Sequence, residues 1–356
     1  MLQSAAQMAE PKTLLALDQI LARVRAFAGR KVVVLADLVA DRFISGTPKR
    51  ISREAPVLIL RFEEERLVPG GGANAIANLK ALGGQPVPLG FVGDDESGRA
   101  LLESLTTQGV TTEGIVVRPG YRTPTKTRIL GGGRHSIKQQ IVRYDVEDEI
   151  EVRPDEIERL QTFLREAAAD AMVTVVSDYG YGAADPSVLC ALRPSLPPAA
   201  PILVDSRYRL AEFEGISGAT PNEEEAEAML GTRLAEAAHD AAAQGKALAE
   251  RLGTEFLLVT RGSRGMLLVD GARGTQIPVH GTDQVADVTG AGDTVIAAFA
   301  LALAAGAEPL EAAVLANYAG GIVVMKMGTA TASPAELEAA VIQDPTPREA
   351  ITWVGL

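Results

Sequence analysis

Short apolar runs punctuate the chain at Val32–Leu35, Val87–Val92, Met172–Ser177, Pro201–Asp205 and Phe256–Thr260, and each reads as a buried strand. Between most of them, apolar residues recur at helical spacing, over Thr13–Phe27, Ala73–Leu82, Ser97–Gln108, Pro154–Ala169 and Glu223–Leu230. A last helix is predicted from Pro334 to about Ile342. Strand alternating with helix predicts an α/β fold: a doubly wound, mainly parallel sheet with helices on both faces. Such sheets bind ligands beyond the carboxyl ends of their strands.

Two segments break the rhythm. Val57–Val68 alternates around Glu63-Glu64-Glu65, and Lys126–Leu130 and Lys138–Tyr144 flank Gly131-Gly132-Gly133, a hairpin-like turn. Both read as strands outside the main sheet, forming a small β lid from segments at about 43–68 and 121–145. Surface hairpins or a dimer face are the alternatives, since exposed strands invite pairing. Residues 1–12 read as a loose extension, 13–342 as one domain and 343–356 as a peripheral tail.

The most informative stretch is Asp287-Val288-Thr289-Gly290-Ala291-Gly292-Asp293-Thr294, which runs into the apolar Val295–Leu301. Glycines let a backbone approach a ligand closely, and a helix start offers free N–H groups and a positive dipole end. A carboxylate there, Asp293, is placed to take a proton from an attacking hydroxyl while amides hold a phosphoryl group. Taken alone, the segment also reads as a tight loop with Asp293 as a helix cap. Other polar groups fall at strand ends: Asp37 and Asp41, Pro69-Gly70-Gly71-Gly72-Ala73-Asn74, Asp178, Thr220-Pro221-Asn222-Glu223-Glu224-Glu225, and Thr260-Arg261-Gly262. Asn222 and Glu225 share a helix face. So many strand-end groups together with Asp293 favour a site over chance.

Composition narrows the partners. With 34 Lys and Arg against 46 Asp and Glu, the net charge is -12, which gives no support for broad nucleic-acid or anionic-membrane binding. A local basic pocket for a phosphorylated metabolite remains compatible with it. Met1–Lys12 lacks the pattern of a secretion signal, and Val295–Ala305 is too short to span a bilayer. The lone Cys190 permits no intrachain disulfide, fits a cytoplasmic location and is expected to pack in the interior. His135, His239 and His280 have no metal-ligand spacing and read as surface or hydrogen-bonded structure.

The glycine segment at 69–84, the segment at 287–294 and Asn222–Glu225 together resemble the signatures of the PfkB, or ribokinase, family of sugar kinases. The resemblance spans roughly residues 30–340. Within the family the chain is most similar to D-glycero-β-D-manno-heptose-7-phosphate kinases. The carrying segments are Arg50–Val57, Thr125–Arg128, Gln140–Asp145, Ser177–Tyr179 and Lys326–Thr329. Three positions depart from those relatives. Ala36-Asp37 replaces Gly-Asp, Tyr181 stands where Asp-Tyr-x-Lys-Gly has Lys, and Asp205-Ser206-Arg207 replaces Asp-Pro-Lys. Bifunctional relatives carry a second, nucleotidyltransferase domain; the kinase part alone is expected here, and His-x-Gly-His is absent.

The resemblance implies a ribokinase-like fold, ATP and Mg²⁺, and transfer to a sugar hydroxyl, the anomeric one in the heptose kinases. It makes Asp293 the general base and the amides of Gly290, Ala291 and Gly292 the anion hole. Asp41 and Asn74, with Gly71, Gly72 and Asp37, would meet the sugar, although Asp37 reads equally as a turn cap. Arg53, Lys126, Arg128 and Arg143 are the candidate cations for a sugar phosphate. Asn222, Thr260, Gly262 and Gly265 would line the nucleotide site, bordered by Asn317 and Lys326. Glu225 would position Mg²⁺ through water. Activation by a monovalent cation such as K⁺ stays open, and a homodimer through the lid is implied. The rivals are another PfkB sugar or nucleoside kinase and a catalytically silent sugar-phosphate sensor. A dinucleotide-binding enzyme would need Gly-x-Gly-x-x-Gly where the chain has Ala36-Asp37-Leu38-Val39.

Overall fold

The computed structural model describes residues 12–13, 15–133, 138–281 and 286–355. The extension up to Pro11 and His135 lie outside them. The first strands are Lys12–Thr13 (β1) and Lys31–Ala36 (β2), then the long pair Leu38–Ile51 (β3) and Leu58–Gly71 (β4). Gln85–Gly93 (β5), Ile115–Arg118 (β6), Thr125–Gly131 (β7) and Gln139–Val146 (β8) follow. Then come Val173–Asp178 (β9), Ile202–Ser206 (β10), Gly218–Ala219 (β11) and Phe256–Thr260 (β12). Met266–Asp270 (β13), Arg273–Ile277 (β14) and Ile351–Gly355 (β15) complete the set.

Among the described residues, eleven strands form one sheet in the order β1-β15-β14-β13-β12-β11-β10-β9-β2-β5-β6. Pairing is parallel from β12 through β6 and antiparallel from β12 out to β1. The parallel strands are buried on both faces, which explains their near-continuous apolar runs. Side chains of β2 alternate between two cores. Val32 and Val34 join the helices Gly72–Ala81, Ala291–Ala304 and Pro309–Val324, while Val33 and Leu35 join Pro154–Ala167 and Ala238–Leu252. The Ala291–Ala304 helix is apolar nearly all round, and it packs on both Gly72–Ala81 and Pro309–Val324. Among the described residues, no helix is long and apolar enough to cross a membrane.

The lid is a second sheet, in the order β4-β3-β7-β8. Strand β3 follows β2 with only Asp37 between them, and β4 runs straight into the Gly72–Ala81 helix, so the lid grows from the carboxyl end of β2. The alternation read at Val57–Val68 is β4; its partner β3 carries Pro48 and few alternating apolar residues, and the ladder shifts register beside that proline.

Two expectations differ from the structure. Residues 343–356, expected as a peripheral tail, include β15, which pairs with β14 and carries the fully buried Ile351. Cys190, expected inside, is exposed, because its short helix Pro186–Leu192 turns Val188, Leu189 and Leu192 to the core instead.

Candidate active site

Register brings the carboxyl ends of three strands together. Ala36 of β2 and Asp205 of β10 both pair with Ser177 of β9, and Ser206 pairs with Asp178. An isolated bridge sets Asn222 beside Thr260 at the end of β12. Asp37, Tyr179, Asp205 and Arg207 therefore crowd one edge, and the Ala291–Ala304 helix begins beside them.

Asp293, in the first turn of that helix, is only 2% exposed. Asn74 Nδ2 donates to its Oδ2 at 3.0 Å, and Tyr179 Oη donates to its Oδ1 at 2.7 Å. Burial pushes the carboxyl pKa up to about 7; the Asn74 and Tyr179 hydrogen bonds and Lys126 pull it down, while Asp41 raises it further. A buried carboxylate poised near neutrality is what a general base needs. The helix is preceded by Gly290, whose φ of 78° is left-handed and whose Cβ, if present, would lie 2.4 Å from Asn74 Nδ2. Only glycine meets both conditions.

The predicted three-amide cradle is modified. The Ala291 amide donates to Val288 O at 3.2 Å. Among the described residues no acceptor is placed on the Gly290 or Gly292 amides, which remain available to an anion. Asp287 braces the loop, accepting from Thr289 N at 2.9 Å and Gly328 N at 3.0 Å.

Asp41 lies under the lid. Arg128 Nη1 sits 2.6 Å from its Oδ1, and its pKa is raised by burial against the pull of Arg128 and Lys126. A Cβ at Gly70 would reach within 2.6 Å of Asp41 Oδ2, so the first glycine of that segment makes room for the carboxylate. Burial lowers the Lys126 pKa, the Asp41 charge pulls it back up, and Arg207 and Arg143 lie near enough to depress it further. Arg143 is also paired with Asp145 at 3.0 Å. Arg53 stands apart, exposed in the turn between β3 and β4. At about 3.3 Å per strand residue, that turn is on the order of 30 Å along β3 from Asp41.

Asp37 faces inward. Its Oδ2 accepts from Tyr179 N (2.8 Å) and Tyr181 N (2.9 Å), and its Oδ1 from Ala183 N (2.9 Å) and Ala184 N (3.2 Å). Of its two expected roles, the turn cap is the one these contacts describe. Tyr181, where the resemblance expects Lys, is buried with its hydroxyl on Glu147 at 3.1 Å.

Beyond the end of β12, Asn222 and Glu225 form a reciprocal capping box, at 2.9 and 2.8 Å. Glu225 has a pKa raised by burial and faces Asp205, which is raised well above its ordinary value by burial and by Glu225, Asp293 and Asp178. Among the described residues no cation or donor is placed on the Asp205 carboxylate. Arg207 partly offsets Glu225; two neighbouring carboxylates suit Mg²⁺, which needs only one or two beside substrate oxygens and water. Gly262 borders open space, whereas Gly265 packs, its Cβ position lying 2.0 Å from Ile277 O. Asn317 donates to Pro278 O at 2.5 Å, and Lys326 to Thr331 O at 2.7 Å, so both side chains serve the fold. His280, paired with Asp344 at 2.7 Å, is hydrogen-bonded structure as expected.

The two glycine segments, the capping box and the aspartate at the helix start thus meet in one place. The family model of pfkB family carbohydrate kinases matches residues 30–336. The chain belongs to that family. It is 37% identical over 326 residues to the bifunctional protein HldE of Mesorhizobium japonicum, covering 90% of this chain and 64% of that protein. It is 39% identical over 329 residues to the bifunctional protein HldE of Caulobacter vibrioides, covering 91% and 66%. The chain thus spans a little under two thirds of the length of these relatives. Phosphofructokinase-2 from Escherichia coli, solved with substrates and products, superposes with a TM-score of 0.70 at 19% identity, covering 88% of this chain and 98% of that one. Arabidopsis thaliana ribokinase, complexed with ribose and ATP, gives 0.68 at 21%, covering 89% and 100%. These structures share the fold. The pfkB chain described here is a carbohydrate kinase.

Sequence reasoning missed Tyr179 as a site residue. It directly follows a strand end, the position that singled out Asp37, but its hydroxyl partner lies on another segment.

Proposed function

We propose that this kinase transfers the γ-phosphoryl group of ATP to O1 of D-glycero-β-D-manno-heptose 7-phosphate, giving the 1,7-bisphosphate. The observation that carries the phosphotransfer is Asp293: a buried carboxylate with a pKa of about 7, at a helix start, behind two uncommitted amides. In this reading Asp293 Oδ1 or Oδ2 takes the acceptor proton, and the Gly290 and Gly292 amides hold the transferring phosphoryl oxygens. Asp41 receives sugar hydroxyls, and Lys126, with Arg143 and Arg207 around it, receives the acceptor's phosphate. Asp205 and Glu225 would hold Mg²⁺, which supplies neutralising charge on the donor phosphates. Lid closure excludes water that would compete as acceptor.

The heptose assignment is supported by the HldE relatives at 37–40% identity. Tyr181 and Arg207, where such kinases usually carry Lys, favour a second reading, a pfkB kinase for another sugar phosphate. ADP release with Mg-ATP should be compared across the heptose 7-phosphate, fructose 6-phosphate and ribose. Preference for the heptose phosphate supports the first reading; turnover confined to another acceptor supports the second.

The lid exposes Leu58, Phe62, Ile141 and Tyr144, with Phe62 63% and Tyr144 61% accessible. This apolar surface supports a homodimer through the lid. Light scattering of the purified protein, with Phe62→Glu shifting it to monomer, tests that point.

A further inference from the structure

Asp293 has a donor on each oxygen: Asn74 Nδ2 at 3.0 Å on Oδ2 and Tyr179 Oη at 2.7 Å on Oδ1. Two donors on different oxygens fix the plane of the carboxylate, yet each oxygen keeps a further lone pair for an incoming hydroxyl. The phenol is itself immobilised. Its backbone amide is tied to Asp37 at 2.8 Å, the next amide to Asp178 at 3.0 Å and the third to Asp37 at 2.9 Å. Lys126 Nζ lies 5.2 Å from the ring centroid, and a Cβ at Gly71 would press within 3.3 Å of the ring.

We propose that Tyr179 is a positioning residue for the base: its hydroxyl, held in place from Asp37 through the 179–184 loop, aims the Asp293 carboxylate and favours its ionised form. This rests on the phosphotransfer reading above. The phenol stays a donor across the range in which Asp293 titrates, because burial and the charges of Asp293 and Asp205 hold its own pKa well above ordinary. The other charged groups facing Asp293 are Asp41 and Asp205, which oppose its ionisation, and Lys126, which favours it. Tyr179 and Asn74 are thus the neutral donors that offset part of the burial effect. Asp37, with both oxygens occupied by backbone amides, acts on the reaction at one remove, through the loop it holds.

Tyr179→Phe keeps the ring, its packing against Gly71 and its contact with Lys126, and removes only the hydroxyl. The expected result is a kcat lower by about tenfold, KM values for both substrates within about twofold, and an acid limb of kcat/KM displaced upward by about one pH unit. A ring with a packing role alone would leave Tyr179→Phe unchanged while Tyr179→Leu lost activity, and that pattern overturns the proposal. A second readout is independent of turnover. In protein carrying ¹³C-labelled aspartate carboxyls, the Asp293 resonance, assigned by its loss in Asp293→Asn, should titrate at higher pH in Tyr179→Phe than in the wild type. Identical titrations overturn the proposal even if the kinase is active. A displaced titration in a protein that phosphorylates no sugar keeps the Tyr179 contact and sinks the phosphotransfer reading. Should Tyr179→Phe fail to fold, 3-fluorotyrosine at position 179, a stronger donor of the same shape, should move the titration down; an unmoved titration counts against it.

Discussion

Asn74 and Asp293, 219 positions apart in the sequence, are joined by a hydrogen bond of 3.0 Å. Asn74 also reaches Gly290 O at 3.3 Å, so one amide group ties the start of the Gly72–Ala81 helix to the start of the Ala291–Ala304 helix. The proposed base and the proposed cradle in front of it are tied to the same side chain.

That arrangement sets a pH dependence. Burial holds the Asp293 pKa at about 7, and a general base works only when ionised, so if Asp293 is that base kcat/KM should climb as pH rises toward about 7 and level off above it. Asn74→Ala removes a bond that favours the ionised form; at roughly 1.5–3 kcal/mol for a hydrogen bond to a charged group, the acid limb should move up by about one to two pH units. Initial rates across pH 5.5–9 check both statements.

The same burial has the opposite sign for stability. The folded-state pKa of Asp293 lies above its unfolded value, so the native protein binds the extra proton and loses stability as pH rises from about 4 through about 7. Asp293→Asn escapes that loss. Its stability relative to the wild type should therefore increase between pH 5 and pH 8 by a few kcal/mol, on the order of 1.4 kcal/mol for each pH unit by which the pKa is displaced, and its melting temperature should rise accordingly. Differential scanning calorimetry of both proteins at the two pH values decides it, since carboxylates that do not interact with Asp293 cancel in the comparison.

Gly290→Ala should damage the site more than the fold. A Cβ would lie 2.4 Å from Asn74 Nδ2 on a backbone with φ of 78°. Strain of about 1–3 kcal/mol is expected, with Asn74 pushed off Asp293. Activity should fall by more than the loss in melting temperature accounts for, which steady-state rates on the folded variant would reveal.

Asp37→Asn separates holding a loop from binding a sugar. The amide nitrogen of Asn would meet two of the four backbone N–H donors now facing the carboxylate. Leaving buried donors unmatched costs about 1–3 kcal/mol each, so denaturant unfolding should show clear destabilisation. The acceptor KM should change little while kcat drops; a selective rise in KM would restore Asp37 to the sugar site.

Much of this was legible before the structure. The apolar runs of β2, β5, β9, β10 and β12 were readable because strands buried on both faces leave few polar interruptions. The glycine segments were readable because a helix start with a close neighbour excludes other residues, as Gly70 and Gly290 illustrate. Strand β3 was not, because it carries Pro48 and its last residues are exposed without alternation, and β15 was not, because its pairing with β14 lies far off in sequence. The lid cations could not be ranked from sequence. Arg128 meets Asp41, Lys126 acts on Asp293 and Arg53 sits at the far turn, distinctions set by strand register and not by residue type.

The most direct test is a single-turnover measurement of phosphoryl transfer from Mg-ATP to D-glycero-β-D-manno-heptose 7-phosphate, comparing the wild type with Asp293→Asn at pH 8. The expected result is a new anomeric phosphate in the ³¹P spectrum of the wild-type product, with the variant slower by about 10²–10⁴-fold while still binding both substrates. A variant that transfers phosphate at the wild-type rate would contradict the assignment of Asp293 as the base.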